Sequence, residues 1–301
     1  DTPLSCKSFV EILYEAGLDE RWCRFVPCSN DVAEQMVIDS RTAFFSFIGS
    51  ARVGWMLRSK LAPGTRLALE HGGAAPVLVD EGVASGKVIP PLLKGGFYHS
   101  GQVCVSVQRV FVPRAELPDF AAELAEGAEA LTVGDPTKAE TQCGPLIRPA
   151  EVDRVASWVD AAVQGGARLA AGGKRMGSTL YQPTVLVDPP CDADVSRKEV
   201  FGPVVCIYGY DDVDAAIGQA NALPYAFQAA VFSDRMSWAD YCVETLAASA
   251  VMVNDHTAFR VDWMPFAGRR QSGLGTGGIG YTMVDMSEEK MVVVNAPSSV
   301  R

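Results

Sequence analysis

Histidine is scarce. The 301 residues contain 3 (His71, His99 and His256), and none stands in an HExxH pattern. Helical zinc-protease chemistry needs two histidines one turn apart, so that class is excluded. The eight cysteines, at 6, 23, 28, 104, 143, 191, 206 and 242, contain no CxxC pair. Zinc fingers and thioredoxin-like redox pairs are thereby ruled out, and no metal site is expected. Dilute, unpatterned cysteines fit free thiols in a reducing, cytoplasmic compartment. No run approaches eighteen uncharged apolar residues, so no transmembrane helix is expected. The opening residues lack the basic, then apolar, then small pattern of a secretory signal. Basic residues are outnumbered, 26 Lys+Arg against 36 Asp+Glu, for a net charge of −10. Such a chain repels phosphate polymers and anionic lipid surfaces, so neither nucleic acid nor membrane is an expected partner. Residue 1 is Asp and not Met, which suggests the remainder of something longer.

What is present suits a folded α/β protein. Hydrophobic residues make up 48% and charged residues 21%, enough for a substantial core. Pro3 and Gly17 bracket a helix, residues 24–26 form a short strand candidate, and a second helix spans 31–38. The apolar run 43–48 reads as a buried parallel strand ending at Gly49, with a helix after it. Two more strands, 66–70 and 76–79, give the first third a β-α-β-α-β pattern. The alternation continues through strand candidates 108–112, 184–187, 203–209, 228–232 and 250–253. Helix candidates are 115–127, 151–164, 212–221 and 235–247. Residues 254–283 are loop-like, and 290–295 read as a last strand.

Four segments carry chemistry. Cys104, in Gly101-Gln-Val-Cys104, is either a thiol exposed on a tight turn or a buried structural cysteine. Glu70 ends an apolar strand before Gly72 and Gly73. It is either a solvated strand-end charge or a desolvated carboxylate suited to general-base work. Glu199 and Phe201 precede a Gly-Pro turn. Gly49, Ser50 and Gly54 form a strand-to-helix turn whose free N–H groups could meet a pyrophosphate.

The order and spacing of these segments resemble the aldehyde dehydrogenase superfamily. Further matches run the length of the chain: Val133-Gly-Asp-Pro136, Gly144-Pro-Leu-Ile147, Gln182-Pro-Thr184, Pro265-Phe-Ala-Gly268 and Ser272-Gly-Leu-Gly275. The resemblance implies three parts. Residues 1–70 would be the second half of a Rossmann-type nucleotide-binding domain, 71–283 an α/β catalytic domain, and 284–301 an assembly segment. The last would contribute a strand to a neighbouring subunit in a homodimer or homotetramer.

By the same resemblance, Cys104 matches the nucleophile that forms a thiohemiacetal and then a thioester with an aldehyde. Its own N–H supplies half of an oxyanion hole. Glu70 matches the base that activates the hydrolytic water, which implies a free acid as product rather than transfer to coenzyme A. Glu199 matches the residue binding the nicotinamide-ribose hydroxyls of NAD or NADP, and Phe201 the aromatic beside the ring. Gly49, Ser50 and Gly54 match the pyrophosphate segment. The chain departs from the family at Ile48 (commonly Thr), His71 (commonly Leu), Ala74 and Ala267.

A complete member has about 150 more residues upstream, carrying the Asn of the oxyanion hole and the opening strands of the cofactor sheet. The isolated 301 residues are therefore expected not to oxidise aldehydes with NAD. Two other classes stand beside this one: a non-catalytic module for assembly or partner binding, and a thiol esterase using Cys104 and Glu70. Among lesser features, His99 is expected on the helix before Cys104, and the glycines of 273–280 in a flexible turn. Arg260 resembles part of a substrate-entrance loop, where it either meets an anionic tail or is a solvated surface charge. Val103 stands before Cys104, where members using phosphorylated aldehydes can carry Arg, which argues against such substrates.

Overall fold

The computed structural model describes residues 2–295. Its first helices, α1 (Leu4–Glu15) and α2 (Asn30–Ile38), bury none of their residues. Strand β1 (Phe44–Ile48), helix α3 (Ala51–Arg58) and strand β2 (Arg66–Glu70) then form a β-α-β unit with parallel strands. A small core holds it together: Phe45, Leu57 and Leu69 are buried, with Phe47, Val53 and Trp55 packed against them.

After β2 the chain passes through His71, Gly72, Gly73 and Ala74 into β3 (Ala75–Val79) of a second sheet. There follow α4 (Ser85–Phe97), β4 (Val107–Pro113), α5 (Leu117–Glu129), α6 (Pro149–Gln164), β5 (Arg168–Ala171) and β6 (Thr184–Val187). Then come α7 (Asp194–Arg197), β7 (Val204–Tyr210), α8 (Val213–Asn221), β8 (Tyr225–Ala226), β9 (Gln228–Phe232), α9 (Met236–Thr245) and β10 (Ala250–Val253). Seven of these strands make one sheet in the order β10-β9-β3-β4-β7-β6-β5. All its pairs are parallel except β5 with β6.

Helices cover both faces of this sheet, which is why its strands read as continuous apolar runs. Val88, Leu92, Ala121 and Leu124 of α4 and α5 pack on one face. Val155, Val159, Ile217 and Cys242 of α6, α8 and α9 pack on the other. Every residue of β4 and β9 is buried.

Two polar residues inside β4 are fully used, as burial demands. Arg109 donates to the carbonyls of Ala74, Gln219 and Ala220, fixing the link between the sheets to the end of α8. Burial lowers its pKa to about 10. Gln108 donates to the Val195 and Lys198 carbonyls and accepts from the Val200 N–H, so it holds the segment carrying Glu199.

The remaining elements are β11 (Arg269–Arg270), β12 (Gly273–Leu274) and α10 (Ile279–Asp285). β12 pairs antiparallel with β2, placing Gly273 opposite Glu70, and β11 pairs with β8. The small sheet thus takes its third strand from about 200 residues downstream.

Four expectations are corrected here. Residues 24–26 are not a strand: no neighbour pairs with them, and a strand exists only through its ladder. Residues 290–295 likewise form no strand among the described residues, and Met291, Val292, Val293 and Val294 are 73–86% exposed. Asp1 and the rest of the expected assembly segment, 296–301, lie outside the described residues. The stretch 254–283 is not loop throughout, since two short strands and the start of α10 lie in it. His99 is not on α4 but in the short 3-10 turn after it, at φ 48°.

Candidate active site

The site lies where the link between the two sheets passes the turn that follows α4. In that turn the Ser106 N–H donates to the Val103 carbonyl at 3.0 Å, with Cys104 in between. Ser106 Oγ donates to the Gly95 carbonyl at 3.1 Å, tying the turn back to the helix. Two residues ahead, Gln102 donates through Nε2 to the Pro145 carbonyl and accepts the Ile147 N–H. Ser100 Oγ donates to the Gly144 carbonyl at 2.6 Å. The chain enters through three left-handed residues, His99, Ser100 and Gly101. The last must be glycine: at φ +68° a Cβ would stand 2.1 Å from the Gly202 carbonyl oxygen.

Two carboxylates border the link between the sheets. Glu70 ends β2, and Gly273 of β12 faces it. A Cβ on Gly73 would lie 3.7 Å from the Cys104 carbonyl oxygen, so the link runs beside the backbone of that residue. A Cβ on Gly72 would come 1.7 Å from Glu199 Oε1, so that carboxylate rests on the link's backbone. Ser272 Oγ, fully buried, donates to the Gly72 carbonyl at 2.9 Å and accepts the Ala226 N–H.

Electrostatics tie these groups into one site. Burial, then the charges of Glu199 and Glu70, push the Cys104 thiol up to about 11, against downward pulls from its own backbone N–H and then Arg260. Burial raises Glu70 above its usual range, and Arg260 opposes it. Burial lifts Glu199 to about 7, moderated by the Gly73 N–H and by Arg154. A neutral thiol beside a carboxylate of raised pKa can pass its proton to that carboxylate, or to water activated by it, when an electrophile arrives. Cys104 also packs with Val103 and Ala258 against Val105, Phe227 and Phe266, an apolar wall that limits water around the sulfur.

The remaining positions singled out in the sequence divide into two groups. Phe201 is 40% exposed and left-handed at φ 46°. Ser50 is exposed at the start of α3, and its side chain makes no cap bond there. Gly54 is buried instead, and Gly49 partly so. A Cβ on Gly49 would meet the Phe47 ring at 2.6 Å, and one on Gly54 would meet His71 Nε2 at 1.9 Å. His71 is 1% exposed, with Nδ1 2.9 Å from the Gln271 carbonyl and Nε2 without a partner.

Sequence reading did not find the anchoring roles of Gln108, Arg109, Ser272 and Gly277. A Cβ on Gly277 would approach Glu70 Oε1 to 2.4 Å, so its lack of a side chain leaves that carboxylate its place. Only the glycine richness of 273–280 hinted at this, and it reads equally as a turn.

A nicotinamide dinucleotide is the group this arrangement brings to mind, and the structure offers one test of fit. Glu199 Oε1 is buried and has no hydrogen-bond partner. Such an orphan acceptor wants an O–H donor, which ribose hydroxyls supply. The residues present therefore fit such a group at Glu199. Among the described residues no group of three His, Cys, Asp or Glu could hold a metal ion, and no helix is long and apolar enough to cross a membrane.

Comparison with known proteins defines the class. The model of the aldehyde dehydrogenase family matches residues 1–292, and the chain belongs to that family. Among its relatives, the 3-sulfolactaldehyde dehydrogenase of Priestia aryabhattai is 36% identical over 295 residues, covering 98% of this chain and 61% of the relative. A betaine aldehyde dehydrogenase of Cereibacter sphaeroides is 35% identical over 277 residues, covering 91% and 57%. The crystal structure of an NAD-dependent aldehyde dehydrogenase from Sinorhizobium meliloti superposes with TM-score 0.93 at 28% identity, covering 99% of this chain and 61% of that one. An NADP-dependent glyceraldehyde-3-phosphate dehydrogenase from Bacillus halodurans, complexed with NADP, gives TM-score 0.91 at 30% identity, covering 96% and 60%. The chain thus spans about three fifths of the length of these proteins.

Proposed function

We propose that the protein carrying this chain oxidises an aldehyde to a carboxylic acid with NAD or NADP, using Cys104 as nucleophile and Glu70 as base. The observation that carries this reading is the placing of Cys104, Glu70 and Glu199 around one four-residue link, in a chain of this family. The thiol passes its proton to water and on to solvent as sulfur attacks the carbonyl carbon, giving a thiohemiacetal. The Cys104 N–H faces the developing oxyanion. Bound NAD or NADP supplies the acceptor for the hydride that leaves carbon as the thioester forms, and in its oxidised form a positive charge that favours the thiolate. Glu70 then takes a proton from water, whose oxygen attacks the thioester carbon. The C–S bond breaks, the acid departs and Cys104 recovers its proton. Glu199 would hold the ribose hydroxyls, Phe201 would flank the nicotinamide, and Gly49, Ser50 and Gly54 would meet the pyrophosphate.

In this reading residues 1–70 belong to the cofactor domain, 71–283 to the catalytic domain and 284–301 to an assembly segment of a homodimer or homotetramer. The working location is cytoplasmic, where the eight free cysteines stay reduced. The test is NAD(P)-linked turnover of an aldehyde panel by the full protein. Cys104→Ala should abolish it, and turnover surviving that substitution overturns the assignment. The 301 residues alone should produce no NADH, and their light scattering should report the assembly state.

A second reading is favoured by the apolar surface of the N-terminal region, where Leu4, Phe9, Ile12 and Trp22 are 58–81% exposed. There the chain is a non-catalytic module for assembly. Hydrolysis of p-nitrophenyl esters by the isolated chain, lost in Cys104→Ala, would instead establish thiol esterase activity.

A further inference from the structure

The cysteine turn is held from two sides. Ser106 ties it to α4, and Thr257 ties it to the segment that follows β10. Thr257 Oγ1, fully buried, donates to the Val105 carbonyl at 2.6 Å, one residue past the thiol. Ala258 packs in the same apolar cluster as Cys104, Val105 and Phe266. Further along, the Arg260 guanidinium carbon lies 4.0 Å from the centre of the Phe266 ring, and its charge lowers both Glu70 and Cys104 against burial. Whatever fixes residues 257–260 therefore bears on both reacting groups.

The first anchor is Asn254, left-handed at φ 58°. Its side chain accepts the Ser233 N–H at 2.9 Å and donates to the Ser233 carbonyl at 3.0 Å, so the segment leaves β10 pinned to the end of β9. Neither partner in that pair titrates. The next anchor does. His256 is 7% exposed, and its Nδ1 accepts the Ala258 N–H at 3.1 Å. The Phe259 N–H donates to the His256 carbonyl at 3.2 Å. Ring and backbone of one residue thus close the turn that carries Thr257. Helix α4 presses on the other side, where a Cβ on Gly95 would stand 2.7 Å from His256 Cβ.

Only one state of the ring can make this bond. Nδ1 must offer a lone pair, so the proton of the neutral imidazole sits on Nε2. In the imidazolium, Nδ1–H would face the Ala258 N–H, donor against donor, and the amide would lose its acceptor. Among the described residues the charged groups facing the ring are Asp255, whose Oδ1 lies 3.8 Å from Nε2, and Lys94 of α4. Burial holds the ring below its ordinary 6.5, with Asp255 resisting and Lys94 assisting.

We propose that His256 is a positioning residue, whose neutral ring latches residues 257–260 onto the cysteine turn and whose protonation releases them. Its bearing on turnover rests on the reading of Cys104 as an aldehyde-attacking thiol, while the latch itself does not. The sign follows from the lowered pKa. The folded state disfavours the imidazolium, so the latch is whole above pH 6.5 and weakens as pH falls below it.

Two substitutions separate the bond from the charge. In His256→Asn, Oδ1 takes the place of Nδ1 and accepts the Ala258 N–H, but nothing titrates. In His256→Gln the amide reaches past that place, and the N–H is left without an acceptor. The experiment is hydrogen exchange of the full protein, read by mass on the peptide spanning 256–264 and corrected for the intrinsic rate. Wild-type protection should fall about 3- to 10-fold from pH 8.5 to pH 5.5. His256→Asn should hold its protection at both, and His256→Gln should lose it about 5- to 100-fold at both. A wild type that parallels His256→Asn at pH 5.5 overturns the proposal, and this comparison stands even where His256→Gln does not fold. Full protection in His256→Gln overturns it as well.

The thiol gives a second readout that needs no cofactor. At pH 8.5, iodoacetamide should alkylate Cys104 about 5- to 30-fold faster in His256→Gln, because a loosened turn loses the burial that raises the thiol. His256→Asn should stay within about twofold of the wild type. Equal rates in all three proteins overturn the positioning role. In turnover, kcat should fall about 10-fold in His256→Gln with KM for NAD changed less than about twofold, and His256→Asn should restore it. A latch seen by exchange and alkylation in a protein that oxidises no aldehyde removes the dehydrogenase reading alone. Undiminished turnover in His256→Gln removes the positioning role and leaves the dehydrogenase.

Discussion

The two sheets of this protein are held together very differently. The seven-stranded sheet is covered on both faces, and apolar clusters on each side bury whole strands. The three-stranded sheet has three buried apolar residues, and α1 and α2 beside it bury nothing. Yet Glu70 comes from the weaker sheet and Cys104 from the turn preceding β4 of the stronger one. A reactive site at such a boundary combines a rigid thiol with an acid whose support is thin, and regions of low burial open first.

Truncation in the core is the sharpest way to test that contrast. Leu78→Ala, at a fully buried position of β3, should cost about 2–5 kcal/mol in chemical denaturation. Leu4→Ala, at a position 72% exposed on α1, should cost less than about 0.5 kcal/mol. Equal costs would mean that the N-terminal helices are packed after all. Alkylation of Cys104 provides the next test. With its thiol held near 11, the rate should rise about 100-fold between pH 7 and pH 9, tracking the thiolate fraction. A plateau below pH 8 would show that burial and the two carboxylates do not govern it.

Glu199 tests the seam itself. Its folded pKa near 7 exceeds the ordinary 4.5, so folding favours the protonated acid. The stability this contributes is present below pH 4.5 and is lost as pH rises through 7. Glu199→Gln should therefore gain on the wild type by about 2–3 kcal/mol between pH 4 and pH 8. A gap that does not vary with pH would mean the carboxylate is solvated. A small effect belongs to the minor sheet. His71→Leu removes a buried nitrogen without a partner but also the bond to the Gln271 carbonyl, so stability should shift by less than about 1 kcal/mol.

Legibility in the sequence did not follow that division: β1 and β2 of the small sheet match the expected ranges 43–48 and 66–70 to within a residue. Parallel strands buried on both faces announce themselves as apolar runs, so β3, β4, β6, β7, β9 and β10 were placed within a residue or two. β5 escaped because it is an edge strand whose Arg168 and Leu169 face solvent. The extent of α4 was hidden by Pro90 and Pro91 inside it. The triplet 24–26 and the stretch 290–295 have strand composition but no partner, and composition cannot supply one. At the site, Cys104, Glu70 and Glu199 stood out as residue types in telling local settings. Their mutual support did not, because it comes from contacts such as Thr257 with Val105 and Gly277 with Glu70, some 150 to 200 residues apart.

The link of His71 to Ala74 also sets a tether length. Five virtual bonds join Glu70 to Ala75, a reach of at most about 18 Å when taut. Arg109 clamps the far end of this tether to α8, and Ser272 clamps its middle. Along this connection, any separation of the two sheets is limited to the slack of these four residues.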